Sequence, residues 1–212
     1  MRQRGTRDLF EYWDGLRRGR ATPDRADIDP AAIRHVLADT FMLEADASEK
    51  FPFRLSGTRI NALFDAELKG RPFIDLWRAQ EARNMAALLV NVIESACPIF
   101  AAVAAAPEGY SPAELELLLL PLRHRGKRQG RILGLMACVE QPTWLGLLPA
   151  QHLVLRTLRI VHDDDAAPVG SKTQSKYAEP AIPRAAAMAG LFEQRGHLRI
   201  YPGGRRDEPI AT

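Results

Sequence analysis

The stretch FRLSGTRINALF, residues 53–64, decides the fold because its side-chain period changes part-way along it. Residues 51–56 alternate between apolar and polar side chains, which predicts a half-buried strand. Gly57 ends the alternation, and residues 59–64 then repeat apolar side chains at the spacing of a short helix. A strand that passes directly into a helix indicates a domain of the mixed α+β class.

Upstream of this stretch the sequence predicts a flanking helix and a second strand. Residues 6–19 place Leu9, Trp13 and Leu16 three to four apart, between a threonine that can cap the helix and a glycine that can stop it. Residues 40–45 are apolar and suited to a strand, which would form a hairpin with the strand that follows.

Downstream, the sequence predicts one long helix, three strands and a closing helix. Residues 79–97 keep a helical spacing of apolar side chains and are followed by a proline. The strands are predicted at residues 99–104, 114–122 and 131–139, and the last, apolar on both faces, belongs at the centre of a sheet. The apolar spacing in residues 149–162 predicts the closing helix.

Composition and charge exclude several classes of protein. The 212 residues are 46% hydrophobic and 26% charged, as in soluble proteins with a core, and the net charge of +3 is too small to make nucleic acid the default partner. The sequence opens without an apolar leader, and its longest apolar stretches are about half of a bilayer span. Cys97 and Cys138 do not resemble a disulfide framework. We expect a cytoplasmic protein with reduced thiols and no membrane partner.

The predicted order of elements resembles the PAS sensor fold. Residues 53–64 and the ELKGR segment shortly after them are similar to the second strand, first helix and "E-L-x-G" segment of PAS domains. Residues 9–18, 27–40 and 67–77 resemble, more narrowly, the single-domain PAS proteins of alphaproteobacteria, and the likeness extends over residues 7–163. It implies an α+β fold: a five-stranded antiparallel sheet, its fifth strand central, with helices on one face and flanking helices at both ends.

The resemblance also implies a division of the chain. We expect an N-terminal flanking helix within residues 1–26, the PAS domain at 27–148 and a C-terminal flanking helix at 149–165. The first part of residues 166–212 is rich in proline, glycine and serine. This composition predicts a linker, which a partly ordered tail follows.

A pocket between sheet and helices, where a small ligand could bind, is a further implication of the resemblance. Its candidate wall residues are Phe53, Leu55, Ile60, Leu63, Phe64, Phe73, Trp77, Met85, Leu89, Leu117, Leu119, Leu133 and Leu135. The alternative is a core packed without a cavity. Haem-binding PAS domains use a histidine on the long helix and covalent flavin needs a cysteine near residues 60–77; neither is present here. The residues argue against both cofactors, and the ligand remains unknown.

PAS domains commonly dimerise through the N-terminal flanking helix, so the resemblance implies a homodimer. The interface candidates are Leu9, Phe10, Trp13 and Leu16. The alternative is that these residues pack within their own molecule. No catalytic motif or metal site is predicted, since His152 and His162 would point in different directions on one helix. The expected function is a stand-alone bacterial sensory or adaptor module, not an enzyme, that passes its signal to an unidentified signalling protein.

The alternative function is nucleic-acid binding through the basic run RHRGKRQGR at residues 123–131. This run lies between two predicted strands, so it predicts a hairpin loop. Phosphates could bind there, yet no aromatic side chain is interleaved for base stacking. A solubilising loop, or one that contacts an acidic protein, is the simpler interpretation.

Overall fold

The computed structural model describes residues 2–45, 49–124, 127–161 and 199–201. The α-helices are α1 (Arg4–Arg17), α2 (Thr58–Phe64) and α3 (Ala79–Ser95). The strands are β1 (Thr40–Glu44), β2 (Phe53–Ser56), β3 (Ile99–Ala105), β4 (Ala113–His124), β5 (Lys127–Cys138), β6 (Val154–Ile160) and β7 (Arg199–Tyr201). Short 3-10 turns occur at Arg25–Asp27, Leu37–Asp39 and Phe73–Leu76.

One twisted sheet organises the described part of the chain. Its strand order is β2-β1-β5-β4-β3-β6-β7, antiparallel throughout except that β7 lies parallel to β6. β5 pairs with β1 on one side and β4 on the other, which confirms its predicted central position. β2 lies at the edge of the sheet, a position that tolerates the Pro52 just before it. The α+β PAS architecture is thereby confirmed, with two strands more than the expected five: β6 next to β3, and β7 next to β6.

Both faces of the sheet are covered, so the protein has two hydrophobic layers. On the inner face, α2, α3 and the turn at Phe73–Leu76 pack against alternate residues of β1, β3, β4 and β5. On the outer face, α1 and the segment that contains Ile28, Ile33 and Val36 pack against the other residues of β1, β4 and β5. The central strands are consequently buried on both sides, as their nearly continuous apolar sequence requires.

The predicted C-terminal flanking helix at residues 149–165 is wrong: its centre forms β6, and residues 162–165 lie outside the described residues. Val154, Leu158 and Val161 have helical spacing, but the segment is rich in β-branched residues, which favour strands. The edge of β3 also offers it a row of hydrogen-bonding groups, from Ile99 to Ala104. This long-range pairing overrides the local pattern.

Two other expectations are corrected in detail. Phe51 does not begin β2, because its φ of 51° is left-handed and incompatible with a strand. Thr6 does not cap α1, since the helix begins at Arg4 and, among the described residues, the buried Thr6 hydroxyl has no hydrogen-bond partner. Pro121 lies within β4, as the strand predicted at 114–122 has it; it pairs with Ile132 beyond the last β3–β4 pair, so its missing N–H breaks no β3 hydrogen bond.

Two glycines are expected to respond oppositely to alanine. A Cβ on Gly134 of β5 would overlap the ring of Phe41, whereas nothing lies within 4 Å of the position of a Cβ on the exposed Gly15 of α1. We expect Gly134→Ala to destabilise the fold by about 1–3 kcal/mol through overpacking. Gly15→Ala should stabilise it by about 0.5–1 kcal/mol because glycine disfavours helix. Urea unfolding of both variants measures the difference, and equal effects would contradict this packing of β5.

Candidate functional site

The inner layer is filled around a cluster of four aromatic rings. Phe73 lies at its centre, with ring centroids 5.5 Å from Phe41, 5.7 Å from Phe53 and 5.9 Å from Trp77. All four side chains are buried, and the indole N–H of Trp77 has no hydrogen-bond partner within the described part of the chain. This part of the predicted pocket therefore consists of packed side chains with one unpaired donor.

All but three of the predicted pocket residues lie in this inner layer. They are Phe53, Ile60, Leu63, Phe64, Phe73, Trp77, Met85, Leu89, Leu117 and Leu119. Leu133 and Leu135 point instead to the outer layer beneath α1, and Leu55 is 53% exposed at the edge of the sheet. The prediction was wrong for these three.

The three errors have two physical causes. A register shift between β1 and β2 puts Phe53 opposite the inner-face Leu43 and Leu55 opposite the outer-face Met42, so the alternation of β2 is broken. In β5 the residues that face the inner layer are Ile132 and Met136, whereas the alternate residues Leu133 and Leu135 face the outer one. Because both faces of β5 are buried, hydrophobicity alone could not distinguish them.

The predicted dimer-interface residues are divided between the interior and the surface. Leu9 and Trp13 are fully buried against the outer face of the sheet, and the indole Nε1 of Trp13 donates to the Pro121 carbonyl at 2.9 Å. Phe10 and Leu16 are only partly buried at the borders of this layer. Leu9 and Trp13 thus pack within their own molecule in this conformation, which contradicts their assignment to a dimer interface.

A buried carboxylate anchors the start of α1 to the sheet. Glu116 on β4 is 3% exposed, and its two carboxylate oxygens accept hydrogen bonds from the backbone N–H groups of Arg2 and Gln3, the latter at 3.1 Å. The Gln3 side-chain amide donates to the Val139 carbonyl at 2.7 Å. We call these four residues the N-terminal clamp. Since no side chain of α1 caps its own N-terminus, Glu116 supplies the negative charge favoured there from another element.

A small cleft opens beside the clamp, where β5 ends. It has a volume of about 150 Å³. The residues that line it are Gln3, Asp39, Arg59, Ile60, Leu63, Leu115, Met136, Ala137, Cys138, Gln141 and Leu145. We call it the β5-end cleft. Ile60 and Leu63 are the predicted pocket residues that reach it, so it is the place where the inner layer meets the surface.

Two ionisable groups in the β5-end cleft have shifted pKa values. Burial raises the pKa of the Asp39 carboxyl, and its ion pair with Arg59 opposes that shift. Burial, reinforced by the negative charge of Asp39, raises the pKa of the Cys138 thiol to about 11. At neutral pH the thiol is accordingly protonated, so it can donate a hydrogen bond and is not a nucleophile.

The remaining sequence candidates lie apart from this region. The basic run forms the predicted β4–β5 hairpin, in which Arg131 contacts Glu44 at 3.4 Å, while residues 125–126 lie outside the described residues. His152 is exposed, and residues 162–165 are likewise not described. Among described residues, no three His, Cys, Asp or Glu side chains are grouped so as to hold a metal ion. None of the described helices has the length and apolarity needed to cross a membrane.

Comparison with protein-family models assigns this arrangement to a family. A PAS-domain model matches residues 1–137, which extends from the N-terminal clamp through most of β5. The chain belongs to the PAS-domain family. A search of curated proteins finds no match to it. The PAS match includes α1 and its packing site on the outer face, whereas β6 follows the matched region. PAS domains are sensory modules that often mediate protein interactions.

Sequence reasoning missed the polar residues of this PAS domain. Glu114 and Glu116 alternate with leucines, a pattern that normally marks a solvent-exposed face. The structure buries only Glu116, because residues 2 and 3 pass directly above it. A charged residue directly before the four leucines at residues 117–120 of β4 was the one available signal. Nothing in the local sequence links Asp39 to Arg59, twenty residues later.

Proposed function

We propose that this PAS domain is a bacterial sensory or adaptor module that acts through protein–protein contacts rather than catalysis. The observation that supports it is the docking of α1 across the outer face of the sheet, held by the N-terminal clamp. β4 and β5 contribute alternate residues to both layers, so a change in inner-layer packing can alter the surface that holds α1. Such a coupling of two packed layers is a physical basis for a signal.

We also propose a partner, a cytoplasmic location and a narrower group of relatives for this module. It forms a homodimer and contacts a signalling protein, and a small ligand at the inner layer biases these contacts. Cys97 and Cys138 are both unpaired, which suits the reducing cytoplasm. The narrower likeness to the alphaproteobacterial PAS proteins fits this role. Nucleic-acid binding is the less favoured alternative because no observation on the basic hairpin supports it.

Phe10 is the residue of α1 best placed for a contact between two copies. Its ring stacks on Trp13 at a centroid distance of 6.2 Å but remains partly exposed at the side of the helix. Partly exposed aromatic side chains of this kind are frequent anchors of protein interfaces. We therefore expect Phe10→Glu to weaken homodimerisation at least tenfold.

Sedimentation velocity over a range of concentrations, together with native mass spectrometry, measures this effect. Arg7→Glu is the control, since Arg7 is exposed on the same helix and its charge changes by −2, more than the −1 of Phe10→Glu. A wild-type dimer that Phe10→Glu dissociates and Arg7→Glu leaves intact supports the proposal. A wild-type protein that stays monomeric at every concentration would overturn the homodimer.

A further inference from the structure

The β5-end cleft lies where the inner layer and the N-terminal clamp meet. Its floor consists of Ile60, Leu63 and Met136, all buried in the inner layer. Its rim includes Gln3, whose backbone N–H and side-chain amide both belong to the clamp. A molecule bound here would contact the inner layer and the start of α1 simultaneously.

The polar side chains of the cleft carry more hydrogen-bond donors than acceptors; Gln141, like Gln3, brings an amide with two N–H groups and one carbonyl oxygen. The Asp39 carboxylate is engaged by Arg59, whose guanidinium carries five N–H groups. The Gln3 amide has two N–H groups, of which one bonds to Val139. The protonated Cys138 thiol adds a weak donor. The cleft therefore favours a ligand that presents a hydrogen-bond acceptor.

The charges and the size of the cleft restrict the ligand further. Asp39 and Arg59 form an ion pair, so their charges cancel and do not favour a net charge on a ligand. A volume of about 150 Å³ is that of a cavity known to hold benzene, and the floor is apolar. An anion would also meet the desolvation that already raises the pKa of Asp39.

We propose that the β5-end cleft binds a small uncharged carbonyl compound of roughly the size of a six-membered ring. The apolar body packs on Ile60, Leu63 and Met136, and the carbonyl oxygen accepts from Gln3 or Arg59. A hydrogen bond from Gln3 to the ligand competes with its bond to Val139. A bound ligand therefore weakens one of the hydrogen bonds of the N-terminal clamp. This inference rests on the proposed sensory function and specifies the class of its ligand.

An NMR titration of the full chain tests the proposal with three separate probes, each of which carries the same six-membered carbon ring. Cyclohexanone is expected to shift the amide signals of Gln3, Arg59 and Cys138 in a saturable manner. Cyclohexanecarboxylate and cyclohexylamine should bind at least tenfold more weakly. Saturable cyclohexanone binding that excludes both charged probes supports the uncharged acceptor class.

Two variants of one loop locate the site. Leu145 lines the cleft, whereas Leu147, two residues on, is 75% exposed and does not line it. Leu145→Trp should fill the cleft and abolish the cyclohexanone shifts, and Leu147→Trp should leave them unchanged. Gln3→Leu, which removes a rim donor without entering the packed floor, should weaken binding at least tenfold even if Leu145→Trp does not fold.

Three results would overturn the inference: no saturable cyclohexanone shift, binding of either charged probe at equal strength, or unchanged binding in both Leu145→Trp and Gln3→Leu. The titration does not measure dimerisation. A failed titration beside an intact dimer would remove the ligand and leave the protein-contact function. A monomeric protein that binds cyclohexanone would remove the homodimer and leave the ligand site.

Discussion

Phe73→Ala is expected to destabilise the fold by about 3–5 kcal/mol, the range for removing a fully buried phenylalanine ring. Phe73 contacts three other rings, and it has no exposed surface through which the vacated space could be refilled. The turn that carries it is also tied to the edge of the sheet, because the Phe73 N–H donates to the Phe51 carbonyl at 3.1 Å. The loss should therefore appear as a cavity rather than as a local rearrangement.

Urea unfolding followed by circular dichroism measures the effect of Phe73→Ala. Phe73→Leu is the matched control, because it keeps most of the apolar volume and should lose less than half as much stability. If the alanine variant were as stable as the leucine variant, the aromatic cluster would not be the packed centre of the inner layer.

Trp13→Ala should have a comparable effect on the outer layer, a loss of about 3–5 kcal/mol. The indole is fully buried between α1 and the sheet, and its N–H satisfies the Pro121 carbonyl. Its removal leaves a cavity beneath α1 and an unpaired carbonyl at a buried position. The Arg17 guanidinium, 5.4 Å from the ring centroid, also loses its aromatic contact.

Urea unfolding measures the stability lost in Trp13→Ala. Limited trypsin digestion at the arginines that follow α1 shows whether the helix has left the sheet. Trp13→Phe keeps a smaller aromatic ring but loses the indole N–H and part of the ring volume, so it should cost about 1–3 kcal/mol, less than alanine does. A Trp13→Ala variant that unfolds at the wild-type urea concentration, with no faster cleavage near Arg18, would mean that α1 is not docked on the sheet.

The fold was largely predictable because its elements carry their own local signals. The period change around Gly57 and the apolar faces of residues 131–139 located the hairpin and the central strand. β6 was not predictable in this way, since its partner β3 lies about fifty residues earlier and the segment alone has helical spacing. Strand pairing of this kind depends on contacts that no short window contains.

The candidate site was less predictable than the fold. The apolar members Ile60 and Leu63 follow from helical spacing, but the polar ones depend on which distant groups the fold brings together. Glu116 is buried and Glu114 is 69% exposed, although both occupy the same face of one strand. What separates them is the kind of contact with the N-terminal segment, more than a hundred residues away. Its backbone N–H groups bond to Glu116, whereas Glu114 meets it only in an exposed ion pair with the Arg2 side chain at 3.6 Å, which is worth little.

This pair of glutamates provides the most direct test of the central claim, that the N-terminal clamp couples α1 to the sheet. Hydrogen–deuterium exchange is measured on the wild type, on Glu116→Gln and on the control Glu114→Gln. An amide in place of the Glu116 carboxylate turns one acceptor into a donor that faces backbone N–H groups, and leaving one such buried group unpaired costs about 1–3 kcal/mol.

We expect the amides of α1 to exchange at least tenfold faster in Glu116→Gln, while those of β4 and β5 keep the wild-type rates and Glu114→Gln resembles the wild type throughout. Unchanged exchange in α1 of Glu116→Gln, or an equal increase in Glu114→Gln, would contradict the account.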